Sequence, residues 1–439
     1  MFKTLRDALK VKDIRNGLLF TFFIMVVIRL GSHIPVPGLD TEGIKAYMDS
    51  MFGDSGAGNL LATFTGGSFT QMTIFALNVT PYITSSIIIQ LLTIAIPALE
   101  EMQRDGEDGR KKMTAITRYV TLLLAVIESI GLSIGFDRGN YFTINTTLGY
   151  FTVVVTLTAG SAFVMWLGEK VTDYGVGNGI SIILLINIVS RMPDDFYNLY
   201  VMFVKGKDIV NQTIAVVIVL AVVIVTIVLV VLLQDGVRKI PVQYAQKVQG
   251  RRMVGGQASH IPLKVNTSGV IPVIFASSIL SVPAVVVSLF SINVSGTWAK
   301  IFEGMNQSYW CNRDHPWASI GLLVYILLVF FFAYFYTSVT FNPMEIANNM
   351  KRSGGFIPGI RPGKPTQDYL NKILNYIVFI GAVGLIIVAV IPIFFNGWFG
   401  ANVSFGGTSL IIIVGVIVET IKQIESKMIV RNYSGFLNS

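Results

Sequence analysis

Residues 211–233 read NQTIAVVIVLAVVIVTIVLVVLL, a run with no charged side chain. About 20 mainly apolar residues in a helix cross the ~30 Å hydrocarbon core of a bilayer. A helix also satisfies its own backbone N–H and C=O groups where no water can. Reading outward from this run with the same window gives nine more spans. The full set lies near 17–36, 74–97, 115–136, 146–168, 179–200, 211–233, 268–291, 317–340, 371–395 and 407–428. The fifth is the weakest of the set, because Arg191-Met192-Pro193 interrupts its apolar run.

The composition agrees. The chain has 439 residues, 53% hydrophobic and 13% charged, with a mean hydropathy of +0.65. Soluble domains carry roughly 25% charged residues, so this chain cannot cover itself with a water-compatible surface. The single cysteine, Cys311, excludes a disulfide within the chain, and three widely spaced histidines give no zinc-binding pattern. No signal-peptide cleavage pattern follows the first apolar run, and its Lys/Arg-rich start suits an uncleaved anchor.

The net charge of +8 is read first as orientation. Lys and Arg, counted alternately along the loops with Arg191, Lys422 and Lys427 at span ends assigned to the adjoining loop or tail, split 23 against 7, with Arg29, Arg118 and Lys372 left inside the spans. The richer set includes both ends of the chain, so both termini are expected in the cytoplasm. Ten spans divide into five and five, and an odd-numbered repeat inserts its second copy upside down. Such inverted repeats place a pathway at the interface between halves. The expected division falls at 205/206, with inner loops over about 234–267 and 341–370.

Enzymatic motifs are missing. The string Gly359-Ile360-Arg361-Pro362-Gly363-Lys364-Pro365 has three residues between its glycines and Pro where Ser/Thr would hold Mg²⁺, so it is no phosphate loop. No paired-carboxylate, H-E-x-x-H or G-x-S-x-G constellation appears. Neither a cofactor nor a metal is expected, and ATP-driven work must come from a partner. Glu128, midway along the third span, is either a coupling carboxylate or a packed, water-reached side chain. The first alternative would make the protein a secondary transporter of a small solute.

Three further patterns admit two readings each. The outer loop between the first two spans is small and polar, with glycines at 53, 56, 58, 66 and 67 around Leu60-Leu61-Ala62-Thr63-Phe64. This apolar piece is either a hinged stopper in a pore mouth or one turn in an ordinary surface loop. Ile83 and Ile87 share a helix face, Leu184 and Ile188 repeat the spacing, and Ile274 leads into Phe275-Ala276-Ser277-Ser278. A ring of branched apolar side chains blocks ions by dewetting; lipid-facing isoleucines would look the same. The inner loops carry Arg238, Lys239, Lys247, Arg251, Arg252 and Lys264, then Arg361 between Ile360 and Pro362. Such basic protrusions suit rRNA phosphates or an acidic motor surface as well as the positive-inside rule. The stretch Arg238 to Tyr244 is β-leaning and is expected to form a hairpin.

Taken in order, several motifs resemble the SecY family of protein-translocase channel subunits. They are the second span, Gly175-Val176-Gly177-Asn178-Gly179-Ile180-Ser181, Lys264-Val265-Asn266 with Val270-Ile271-Pro272, Lys351-Arg352-Ser353-Gly354-Gly355, Gly359-Ile360-Arg361-Pro362-Gly363, and Phe405-Gly406-Gly407-Thr408-Ser409-Leu410. The resemblance covers essentially the whole chain. It implies an all-α fold with ten transmembrane helices in two pseudo-symmetric inverted five-helix halves around a central pore. It implies a pore ring of Ile83, Ile87, Leu184, Ile188, Ile274 and Ile412, and a plug over about Gly58 to Gly67, including Leu60, Leu61, Ala62, Thr63 and Phe64. The implied lateral gate, where helices two and three face seven and eight, uses Thr93, Asn266, Ser277 and Ser278, with Val282 where relatives carry an aromatic. The implied function is a passive pore for secretion of unfolded polypeptides and lateral insertion of membrane proteins in the bacterial cytoplasmic membrane. The implied partners are the SecE and SecG subunits, the SecA ATPase, the ribosome, signal sequences and nascent chains, with Arg251, Arg252 and Arg361 in docking.

Overall fold

Each of the ten expected windows overlaps helix in a computed structural model that describes residues 6, 9–52, 64–143, 146–203, 209–244, 247–249, 252–254, 259–289, 296–305, 307–311, 316–399 and 407–437. The first half of the chain forms α1 (Lys12–Gly31), α2 (Thr41–Phe52), α3 (Thr80–Ala95), α4 (Pro97–Arg104), α5 (Gly106–Arg138), α6 (Thr147–Tyr174) and α7 (Gly179–Phe203). The second half forms α8 (Ile209–Asp235), β1 (Val237–Tyr244), β2 (Lys247–Gln249), β3 (Arg252–Val254), β4 (Ser259–Lys264), α9 (Ile271–Leu289) and α10 (Thr297–Met305). It continues with α11 (Ser319–Thr340), α12 (Pro343–Arg352), β5 (Gly355–Phe356), α13 (Lys364–Phe399) and α14 (Gly407–Leu437).

Among the described residues six helices are long and apolar enough to cross a membrane, and a seventh if α3 and α4 form one bent span. The chain is therefore a multi-pass membrane protein. The charges Arg191, Asp194 and Asp195 interrupt the apolar run of α7, and Glu419, Lys422 and Glu425 that of α14.

The second expected span differs from the helix observed. It starts at Thr80, with Pro81 in its first turn where the missing N–H costs nothing. It then breaks at Ile96, whose backbone is extended, and α4 leaves at 108°. The physical cause is Pro97, which disfavours helical backbone in the residue before it.

Helix packing relies on close backbone approach, as is common in bilayers. A Cβ on Gly179 would lie 1.8 Å from the carbonyl oxygen of Gly168, and Gly177 sits at φ +87°, a left-handed conformation natural to glycine. The Gly175–Gly179 turn thus folds α7 tightly back on α6. Along one side of the bundle α7 lies against α14, which also packs on α8 and α13. On the other side α5 meets α9 at only a few positions, while α3 packs on α5 and α9 on α11.

The departure from an all-helical chain is small and specific. β1 pairs antiparallel with β4 and also with β5, giving a three-stranded sheet of order β4-β1-β5. The expected hairpin is therefore present, and the sheet joins the 234–267 loop to the 341–370 loop. Its inner face buries Ile240, Val242 and Leu263 against Met350, Ile357, Leu370 and Ile373.

Candidate functional site at the centre of the bundle

Five isoleucine and leucine positions singled out in the sequence converge. Leu184 and Ile188 from α7, Ile274 from α9 and Ile412 from α14 are all buried in one apolar cluster. Ile83 from α3 and Phe64 from the segment before it pack against it. Neither α3 and α7 nor α9 and α14 are consecutive in sequence, so the cluster draws its side chains from both ends of the chain. Ile188 and Ile412 are each 1% exposed, which excludes a lipid-facing position for them. Ile87, one turn beyond Ile83, packs instead on the neighbouring cluster built around Val273, Phe275 and Ala276. The six positions thus form a contiguous apolar zone with Ile87 at its edge.

The segment leading into α3 reaches this zone from one side. Residues 53–63, and with them Leu60, Leu61, Ala62 and Thr63, lie outside the described residues. From Phe64 onward the chain turns tightly: Gly66 has φ +64° and Gly67 φ +86°. Thr65 and Ser68 are each 1% exposed. The Phe64 carbonyl accepts a hydrogen bond from Asn187 Nδ2 at 3.0 Å, and the Gly66 carbonyl one from Arg29 Nη1 at 3.5 Å. Pattern reasoning on the sequence passes over Asn187. A signal exists all the same: it is a polar residue inside the apolar run 182–189, and intramembrane polar residues call for a partner.

The polar positions expected at a seam are placed as follows. Thr93 is buried at the end of α3 and donates to the Gln90 carbonyl at 2.6 Å. Asn266 precedes α9, with both amide atoms buried and no hydrogen-bond partner among the described residues. Ser277 is buried on α9 and accepts a long bond from Gln307 at 3.5 Å; Ser278 beside it is half-buried. The Thr93–Gln90 bond thus stays within the first half of the chain and the Gln307–Ser277 bond within the second. The side chain of Val282 lies outside the described residues.

Facing the β-sheet end, Arg361 is exposed at a stiff tip. Gly359 and Gly363 flank it at φ +82° and +102°. Ile360 packs under the tip into the sheet cluster, and the Arg361 carbonyl accepts from Thr366 Oγ1 at 2.8 Å. Arg251 lies outside the described residues; Arg252 begins β3, and its strand pairs with β2. Glu128 is half-buried on α5 next to Ser129, which contacts Thr158 at 3.2 Å.

Similarity to known proteins bears on the descent of the chain and on its fold. The SecY family profile matches residues 73–421. A relative from Streptomyces scabiei, named protein translocase subunit SecY, is 44% identical over the full length of both chains. A solved structure described as that of a protein conducting channel superposes with a TM-score of 0.62 at 18% identity, covering 94% of this chain and 93% of that one. Another, described as Sec61 in the canine ribosome-channel complex from the endoplasmic reticulum, gives a TM-score of 0.60 at 17% identity over 94% and 93%. At such identities the two structures speak for the fold alone, while the profile and the full-length relative speak for descent. The chain belongs to the SecY family.

Proposed function

We propose that this chain is the central channel subunit of a bacterial protein translocase, a passive pore for unfolded polypeptides. The observation that carries the reading is the convergence of Ile83, Leu184, Ile188, Ile274 and Ile412 in one buried cluster drawn from four helices. Branched apolar side chains in a narrow ring exclude ions by dewetting and still deform around a passing chain. The 58–67 segment is the plug, and the contact of Phe64 with the ring supports this. The chain is a channel subunit and no enzyme, so the SecA ATPase or the ribosome supplies the work.

The chain's two inverted five-helix halves, 1–205 and 206–439, part along the α5–α9 side. Its sparse contact, against the long α7–α14 seam, supports this as the lateral gate for signal sequences and membrane segments. Thr93, Asn266, Ser277, Ser278 and Val282 line that gate. Both termini are cytoplasmic, in the bacterial cell membrane. The sheet that unites the basic 234–267 and 341–370 loops supports this orientation, since both must lie on one face. Arg251, Arg252 and Arg361 dock SecA and the ribosome there; the stiff exposure of Arg361 supports its part. SecE and SecG complete the channel within the lipid bilayer. The deciding experiment is crosslinking from a photoreactive residue at position 87 to a stalled secretory chain. A crosslink that depends on the nascent chain is expected, and none from 87 or 274 refutes the pore.

A further inference from the structure

Asn187 has no place in an apolar seal unless it does something there. It precedes Ile188, lies one turn from Leu184, and is 0% exposed. Its Nδ2 donates to the Phe64 carbonyl at 3.0 Å, while its Oδ1 is buried with no hydrogen-bond partner among the described residues. The turn it grips fits closely: a Cβ on Gly66 would lie 3.1 Å from the Asn187 Cα, 3.1 Å from Ser190 Oγ and 3.0 Å from Arg29 Nη1. A buried amide with one half satisfied is costly, and the same amide in water is not. The bond to Phe64 therefore holds the shut state, and the unsatisfied oxygen opposes it.

We propose that Asn187 is a positioning residue that latches the Phe64–Gly66 turn onto the apolar ring, so that widening at Ile188 and departure of the turn are one event. The latch rests on the channel reading above. Because the bond is made to a backbone carbonyl, it acts whatever side chain stands at position 64. Once the turn leaves and water enters, both amide atoms are hydrated, so the latch does not re-form until the passing chain has cleared.

The test uses the full-length chain with its partner subunits in right-side-out membrane vesicles, with Cys311→Ala to remove the native thiol. Ser68→Cys then reports on the turn, since Ser68 is 1% exposed. The rate of its reaction with a membrane-impermeant maleimide is the readout. Asn187→Asp keeps the shape but faces a carbonyl with an acceptor, and Asn187→Ala removes the group. Each is expected to raise the labelling rate about fivefold or more, the ratio equivalent to one net hydrogen bond. Ser133→Cys, at a 3% exposed position on α5 outside this contact, is expected to label no faster in either background. Unchanged Ser68→Cys labelling in both variants, or an equal rise at Ser133→Cys, overturns the latch. Ion conductance of Ile274→Asn separates the two claims: if it rises while Asn187→Asp has no effect, only the latch falls, and if it does not rise the channel reading falls with it.

Discussion

Replacing Ile274 by Asn probes the apolar ring directly. In the structure Ile274 is 8% exposed and packs with Leu184, Ile188 and Ile412. Losing an almost fully buried isoleucine costs roughly 1.5–3 kcal/mol. Leaving an amide there without a partner adds about 1–3 kcal/mol. Neither cost applies once water fills the pore, so the substitution shifts the shut–open balance by about 3 kcal/mol, on the order of a hundredfold. The assay is single-channel and bulk ion conductance of purified complexes in planar bilayers without substrate or motor. A leak of that order is expected from Ile274→Asn. Ile87→Asn should leak less, because Ile87 is half-buried and packs on the adjoining cluster. Unchanged conductance from Ile274→Asn, in a protein that inserts and melts like the parent, refutes the reasoning. An equal leak from both variants refutes the placement of Ile87 at the edge.

Two further outcomes separate the neighbouring ideas. Arg361→Glu should reduce motor- or ribosome-driven export roughly tenfold by reversing charge at the tip proposed for docking, and its thermal stability should stay within about 0.5 kcal/mol because the side chain is exposed; export assays on inverted vesicles, with a melting curve, check both. Glu128→Gln should leave export unchanged, since a passive pore couples to no ion; an export loss that tracks the removed carboxylate would revive a coupled mechanism.

The helices were legible because a bilayer gives the chain one solution. With no water to accept hydrogen bonds, each apolar run must close its own backbone ladder, so hydropathy and length place α1, α8 and α11 with little tertiary information. The bend after α3 carried its signal in Ile96-Pro97, but a window that averages hydropathy passes over a single proline. Arg361 was readable for the same local reason: Gly359 and Gly363 flank it in sequence, and their left-handed backbone shapes the tip.

Other features were invisible in one dimension. An isoleucine facing lipid and one facing a pore present the same residue to a composition count, because lipid tails are as apolar as a protein core. Only the packing of α3, α7, α9 and α14 turned Ile83, Leu184, Ile188, Ile274 and Ile412 inward together. Likewise Asn187 and Phe64 are 123 positions apart, and no local pattern pairs a side-chain amide with a distant backbone carbonyl. The sequence by itself determined that the chain lives in a membrane and which loops are basic, since these follow from solvation and local backbone chemistry. The tertiary structure alone decided which faces of those helices meet, since that depends on contacts between segments far apart in the chain.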